Sequence, residues 1–193
     1  GRRMIWSTIH GTLGMSIKNE ILFSAFHSIS GFCNAGFSTL AGNFGDPLVV
    51  RNNPLLLTMA FLVVLGSVGF PVLVNLKNVI VYYSKRLWSS LVSKERESIL
   101  LLHPYNLNTR KALTTTLILF VVSTIFIAAF EWNNAFDGLS TGSKWTQSFF
   151  NAVCPRSGGF TTINLSVFGM QTILLYTLMM WIGGSSQSTA GGI

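Results

Sequence analysis

The chain has 193 residues, 49% of them hydrophobic and only 10% charged, with a mean hydropathy of +0.51. Soluble domains carry roughly a quarter charged residues, so the composition excludes an ordinary water-soluble domain and points to a membrane protein. The net charge of +7 does not signal a nucleic-acid partner, because seven of the thirteen Lys and Arg lie from Lys77 to Lys111, between apolar runs, as in a cytoplasmic loop.

Residues 1–19 hold no apolar run long enough to span a bilayer and read as the end of an earlier helix with a short outer connection. Asn19 to Ser30 predicts a short helix, with Asn19 as N-cap and Glu20 at its positive end. A dozen residues reach only ~18 Å, short of a ~30 Å hydrocarbon core. Gly31 to Thr39 is then expected to return as extended backbone, followed by the turn-rich linker Gly42 to Pro47. Such backbone is tolerated at membrane depth only where protein surrounds it or water bathes it.

Leu55 to about Val81 predicts a first full span, started by Pro54 and open to a kink at Pro71, with Gly66, Ser67 and Gly69 permitting close helix contact. Tyr82 to Arg110 reads as the cytoplasmic loop. Ala112 to Phe130 predicts a second span, closed by an acidic and aromatic boundary from Glu131 to Asp137. Lys144 to Cys154 is a second short helix, and Pro155 to Thr162 its return. Val167 to Ile182 starts a third span, broken by the ten small or polar residues Gly183, Gly184, Ser185, Ser186, Gln187, Ser188, Thr189, Ala190, Gly191 and Gly192. A break of that kind fits a helix lining an aqueous path.

The two short-helix segments echo each other. With Gly36 set against Gly159, Phe26 meets Phe149, Phe37 meets Phe160 and Thr39 meets Thr162 without a gap. Cys33 and Cys154 fall at nearly the same place in the two copies; they read as small packing residues, with a disulfide left open. The chain begins at Gly1-Arg2-Arg3 without Met and stops mid-pattern, as a piece of a longer protein would.

Enzyme chemistry finds little to work with. His10, His27 and His103 are scattered, and neither a phosphate loop ending in Gly-Lys-Ser/Thr nor a Gly-x-Ser-x-Gly elbow occurs. The carboxylates Glu20, Asp46, Glu95, Glu97, Glu131 and Asp137 all lie outside the apolar spans, which argues against a proton relay. Conduction of a monovalent cation fits better. A dehydrated ion needs oxygen ligands, backbone carbonyls supply them without full charge, and glycine lets the backbone aim them.

Three stretches together resemble the Trk/Ktr/HKT superfamily of potassium transporters, in particular the bacterial Trk and Ktr membrane subunits. They are Cys33-Asn34-Ala35-Gly36-Phe37-Ser38, Arg156-Ser157-Gly158-Gly159-Phe160-Thr161-Thr162 and the run from Gly183 to Gly192. The resemblance implies an all-α integral membrane fold of helix–pore loop–helix repeats around one pseudo-fourfold pore, with a broken transmembrane helix. Residues 1–81 would be the second repeat without most of its first helix, 82–111 the basic cytoplasmic loop, and 112–193 the third repeat, cut in its broken helix.

On the same resemblance, the carbonyls of Asn34, Ala35, Gly36 and Phe37, and of Ser157, Gly158, Gly159 and Phe160, line two quarters of a filter for potassium, the transported substrate. Gly183 to Gly192 forms an intramembrane gate, and Arg156 braces the second filter, the alternative being an outer-surface arginine. Lys144 and Glu20 read as interfacial anchors. The family commonly has Arg-Thr-Ala-Gly-Phe where this chain has Arg156-Ser157-Gly158-Gly159-Phe160, a looser strand. The expectation is a multi-pass potassium-uptake subunit of a bacterial inner membrane. It would be embedded in lipid, form a homodimer, and meet a cytosolic nucleotide-binding regulatory subunit, with no nucleic-acid partner and no cofactor in this chain. A sodium-permeable member or a non-conducting scaffold are the alternatives.

Overall fold

The computed structural model describes residues 2–10, 16–92, 107–185 and 188–191. Among these the chain is helical, without a β-strand. Helices α1 (Arg2–Ile9) and α2 (Ile17–Phe32) are followed by the short α3 (Pro47–Val50), then α4 (Asn53–Val68) and α5 (Phe70–Val92). Next come α6 (Leu107–Glu131), α7 (Thr141–Val153) and α8 (Met170–Ile182).

Local chemistry sets several of these boundaries. The Asn52 side chain accepts from Leu55 N at 3.1 Å and Pro54 occupies the first turn, so α4 has both a cap and a preset start. The Ser140 hydroxyl caps α7 through Ser143 N. The first short helix is longer than expected and starts after Ser16, not Asn19. At 16 residues it still reaches only about 24 Å, less than a hydrocarbon core.

The span expected from Leu55 to Val81 is instead two helices, α4 and α5, bent by 104°. Gly69 between them has φ +93° and ψ 145°, open to glycine and costly for any other residue. Two residues on, Pro71 has no N–H to return to the Ser67 carbonyl, so the α4 ladder cannot continue. The expected loop also shrinks: Tyr82 to Val92 completes α5 and Leu107 to Arg110 opens α6, with 93–106 outside the described residues. Among the described helices, α6 is the one long and apolar enough by itself to cross a membrane, over Thr109–Glu131; α4 with α5 would be a second. Leu117, Val121 and Ile125 on α6 are exposed, as a lipid-facing surface requires.

Helix α4 is the centre of the packing. It lies against α2 on one side and α7 on the other, while α6 covers α7 and touches α8. The main core gathers Phe23, Phe44, Leu56, Met59, Phe150 and Phe160 from both halves. A smaller one, built on Ile127, Phe136, Phe168 and Tyr176, joins α6 to α8. Its polar clamp is Glu131, fully buried, which accepts from Gly169 N at 2.9 Å and from Thr172 Oγ1 and so holds the start of α8.

Candidate functional site

Each short helix ends in a turn that doubles back beside it. After α2, Asn34 (φ +53°) and Gly36 (φ +73°) take left-handed backbone, which asparagine tolerates and glycine adopts freely. The returning strand is tied to α2 by Ser30 Oγ, which donates to Phe37 O at 2.8 Å, and by His27 Nε2, 3.0 Å from Ser38 Oγ. After α7 a single π-helical turn, Cys154–Gly158, closes on Gly159 (φ +67°), whose N–H donates to Cys154 O at 3.1 Å.

The second return is tied by a buried polar chain. Thr162 Oγ1 donates to Gln147 Oε1 at 2.6 Å, Asn151 Nδ2 donates to Thr162 Oγ1 at 2.8 Å, and Tyr176 OH donates to Asn151 Oδ1 at 3.0 Å. Gln147 also donates from Nε2 to Val50 O at 3.0 Å, linking the chain to the first half. Sequence reasoning did not single out Ser30, His27, Gln147, Asn151 or Tyr176. The available signal was Gln147 and Asn151, four apart and so on one face of a helix at membrane depth, where polar groups need partners.

The two turns meet. A Cβ added to Gly36 would stand 2.9 Å from Gly158 O and 3.0 Å from Gly159 Cα, so the two backbones are in direct contact. Ser157 Oγ donates to Asn34 Oδ1 at 3.3 Å across the same junction, 123 residues apart. That separation is the offset between the two copies. It recurs where Thr189 Oγ1 lies 3.1 Å from Gly66 O, again 123 residues apart.

The loop after α8 sits on this junction. Helix α8 stops at Ile182, Gly183 has φ +63°, and Gly184 N donates to Gly191 O at 2.8 Å to close a loop. Ser186, Gln187 and Gly192 of the expected gate lie outside the described residues. The loop caps α4: Ser185 N donates to Ser67 O at 3.0 Å and Thr189 N to Gly66 O at 3.3 Å, using carbonyls that the bend at Gly69 leaves free.

Arg156 is buried inside the protein. Its Nε donates to Gly183 O, its Nη1 donates to Thr116 Oγ1 at 3.1 Å, and its guanidinium lies 5.5 Å from the Phe120 ring centre. One side chain therefore joins the second turn, the start of the loop and α6.

The remaining expected residues are less uniform. Phe160 is buried edge-on against Phe44 at 5.1 Å, whereas its repeat equivalent Phe37 is 70% exposed and its carbonyl turns back to Ser30. Gly158 faces α4, where a Cβ would come within 2.8 Å of Val63 Cγ1. Ala35 and Gly159 are exposed along the junction. Lys144 and Glu20, expected as interfacial anchors, are buried against protein partners: Lys144 Nζ donates to Trp132 O at 2.6 Å, and Glu20, 2% exposed, pairs with His10 at 2.8 Å. Cys33 and Cys154 are free thiols. Among the described residues no cluster of His, Cys, Asp or Glu is arranged to hold a metal ion.

Comparison with known proteins gives a consistent result. The family model described as TrkH, cation transport protein, matches residues 5–193. The Ktr system potassium uptake protein B of Vibrio alginolyticus is 31% identical over 93% of this chain and 35% of its own length. The Ktr system potassium uptake protein B of Bacillus subtilis is 33% identical over 91% of this chain and 35% of its own. The potassium/sodium uptake protein NtpJ of Enterococcus hirae is 31% identical over 90% of this chain and 34% of its own. The chain thus spans about a third of the length of these relatives.

Proposed function

Since the chain belongs to the TrkH family of cation transport proteins, a family of transporters and not of enzymes, we propose that it forms two neighbouring quarters of a potassium-conducting pore. One observation carries this reading. Three pairs of repeat-equivalent residues touch each other: Asn34 with Ser157, Gly36 with Gly159, and Gly66 with Thr189. Equivalent points of units related by rotation come into contact only close to the rotation axis. The two glycine turns therefore belong beside an axis, the place for a central ion path.

The chemistry at that place suits a cation. Carbonyls of Asn34, Ala35 and Gly36, and of Ser157, Gly158 and Gly159, offer neutral oxygens that replace hydration water. Helices α2 and α7 bring their carbonyl ends, with their partial negative potential, to the same junction. Phe37 and Phe160 complete the proposed filter, Phe160 as the packed side that holds the turn. The loop from Gly183 through Ser185 and from Ser188 to Gly191 acts as the gate, and Arg156 braces both filter and loop.

Residues 1–81 and 112–193 form two helix–pore–helix repeats, and 82–111 links them on the cytoplasmic side. The complete protein is a multi-pass subunit of a bacterial plasma membrane, a homodimer working with a cytosolic nucleotide-binding regulatory subunit, with potassium as substrate and no cofactor in this chain. A sodium-permeable pore is the second reading, favoured by the similarity to the potassium/sodium uptake protein NtpJ and by the side-chain-free pair Gly158-Gly159 in the second turn. The test is cation flux through the full-length protein in liposomes. Potassium flux exceeding sodium flux supports the first reading, equal fluxes the second, and absence of flux with either ion leaves the chain a membrane scaffold.

A further inference from the structure

We infer that the Asn34 side chain is a positioning residue that ties the proposed gate loop to both filter turns, with Thr189 as the point of release. This rests on the pore reading above, in which Asn34 serves only through its main-chain oxygen. Its side chain has a different place. The amide Nδ2 donates to Thr189 Oγ1 at 2.8 Å while Oδ1 accepts from Ser157 Oγ at 3.3 Å. With the amide turned over, Thr189 becomes the donor and Ser157 the acceptor, so the bridge holds in either orientation.

Thr189 adds a second set of contacts. Its Oγ1 lies 3.1 Å from both Phe32 O, at the end of α2, and Gly66 O, near the end of α4. One hydroxyl thus meets the first filter turn and the open ends of two helices, while Asn34 passes the contact on to the second turn. Arg156 fixes the other end of the loop through Gly183 O. The two ends differ in exposure: Arg156 is buried, whereas Thr189 is exposed and Asn34 half-buried. Water can replace the partners of Thr189 at small net cost, but not those of Arg156. Thr189 is therefore the end that releases, and Arg156 the hinge that stays. Because Asn34 also carries Ser157, release loosens the filter as well.

The test uses the full-length protein in liposomes, with potassium and sodium flux measured separately. Thr189→Val removes the hydroxyl and keeps the shape. It is expected to raise resting potassium flux about fivefold to thirtyfold, the population shift of one to two lost hydrogen bonds, while Thr189→Ser restores the low flux. Asn34→Gly keeps the left-handed backbone and removes the amide. It raises flux about fivefold, the shift of the one bond to Thr189, and also lowers the potassium-to-sodium ratio, because Ser157 loses its tether. The double variant falls short of the product of the two effects, because both substitutions remove the same Asn34–Thr189 bond. Thr189→Ala, with the same expectation, serves if the valine variant does not insert.

Deleting Ser185 to Ala190 separates the two levels of the account. If the deletion raises flux while the Thr189 variants stay at the wild-type value, the positioning role is overturned and the gate survives. If the deletion also leaves flux unchanged, the gate itself is overturned.

Discussion

Gly66 of α4 and Phe32 at the end of α2 approach so closely that a single methyl does not fit between them. A Cβ on Gly66 would stand 2.0 Å from the Phe32 carbonyl oxygen and 2.5 Å from Asn34 Nδ2. The backbone of the first turn rests directly on α4, and the absence of a side chain at Gly66 sets how near the turn comes to its repeat equivalent.

Gly66→Ala is accordingly expected to push α2 off α4. Forcing one methylene-sized group into a packed site costs about 1–3 kcal/mol, and here the obstacle is backbone, so the upper end applies. The melting temperature of the purified full-length protein should fall and potassium flux with it. Gly142, with nothing within 4 Å of an added Cβ, is the control position.

Gly158 and Val63 form a second complementary pair, with 2.8 Å between an added Cβ and Val63 Cγ1. Gly158→Ala alone should destabilise by about 1–2 kcal/mol through overpacking, and Val63→Ala alone by a similar amount through the void. Combined, the two should cost clearly less than their sum. A double-mutant cycle on thermal stability checks this; additivity would mean that the two sites do not share the space.

The buried chain Gln147–Thr162–Asn151–Tyr176 predicts a specific loss. Thr162→Val preserves shape but removes two bonds, leaving Gln147 Oε1 only a 3.4 Å contact from Asn151 Nδ2 and Asn151 Nδ2 its bond to Gln147 O, at about 1–3 kcal/mol. Tyr176→Phe removes one bond, to Asn151 Oδ1, at about 1 kcal/mol. Both should lower the melting temperature, Thr162→Val more. Equal effects would point to general packing in place of the polar chain.

The parts of this arrangement that the sequence exposes are those where backbone geometry selects a residue type. Gly36, Gly159 and Gly183 carry positive φ; the gapless match of residues around Gly36 and Gly159 marks the two turns, and the run of small and polar residues from Gly183 marks the end of α8. What stays hidden is tertiary. Pro71 suggests a kink within one span, but not that it reaches 104° with the freed carbonyls of Gly66 and Ser67 taken up by the loop after α8. Basic charge made Tyr82 to Val92 look like loop, although charge pattern alone does not stop a helix. Phe37 and Phe160 are the same letter at equivalent positions, yet only Phe160 has Phe44 to pack on. Glu131 looked like a boundary charge because its partners, Gly169 and Thr172, lie far along the chain.

Arg156→Lys tests the brace. Lysine keeps the charge but not the planar fork that reaches Gly183 O and Thr116 Oγ1 together. Loss of one or both hydrogen bonds to this buried cation should cost about 1.5–3 kcal/mol, seen as a lower melting temperature and altered flux. Wild-type stability and flux would remove the brace.

The most direct measurement of the central claim is the potassium-to-sodium flux ratio of full-length Gly36→Ser and Gly159→Ser. Each substitution places a side chain on backbone at φ +73° or +67° and within 2.9 to 3.2 Å of the facing turn, so the carbonyls on both sides must move. If the two turns form adjacent quarters of one cation filter, both variants lose potassium preference. A ratio unchanged from wild type in both, with the proteins folded and conducting, would contradict the filter.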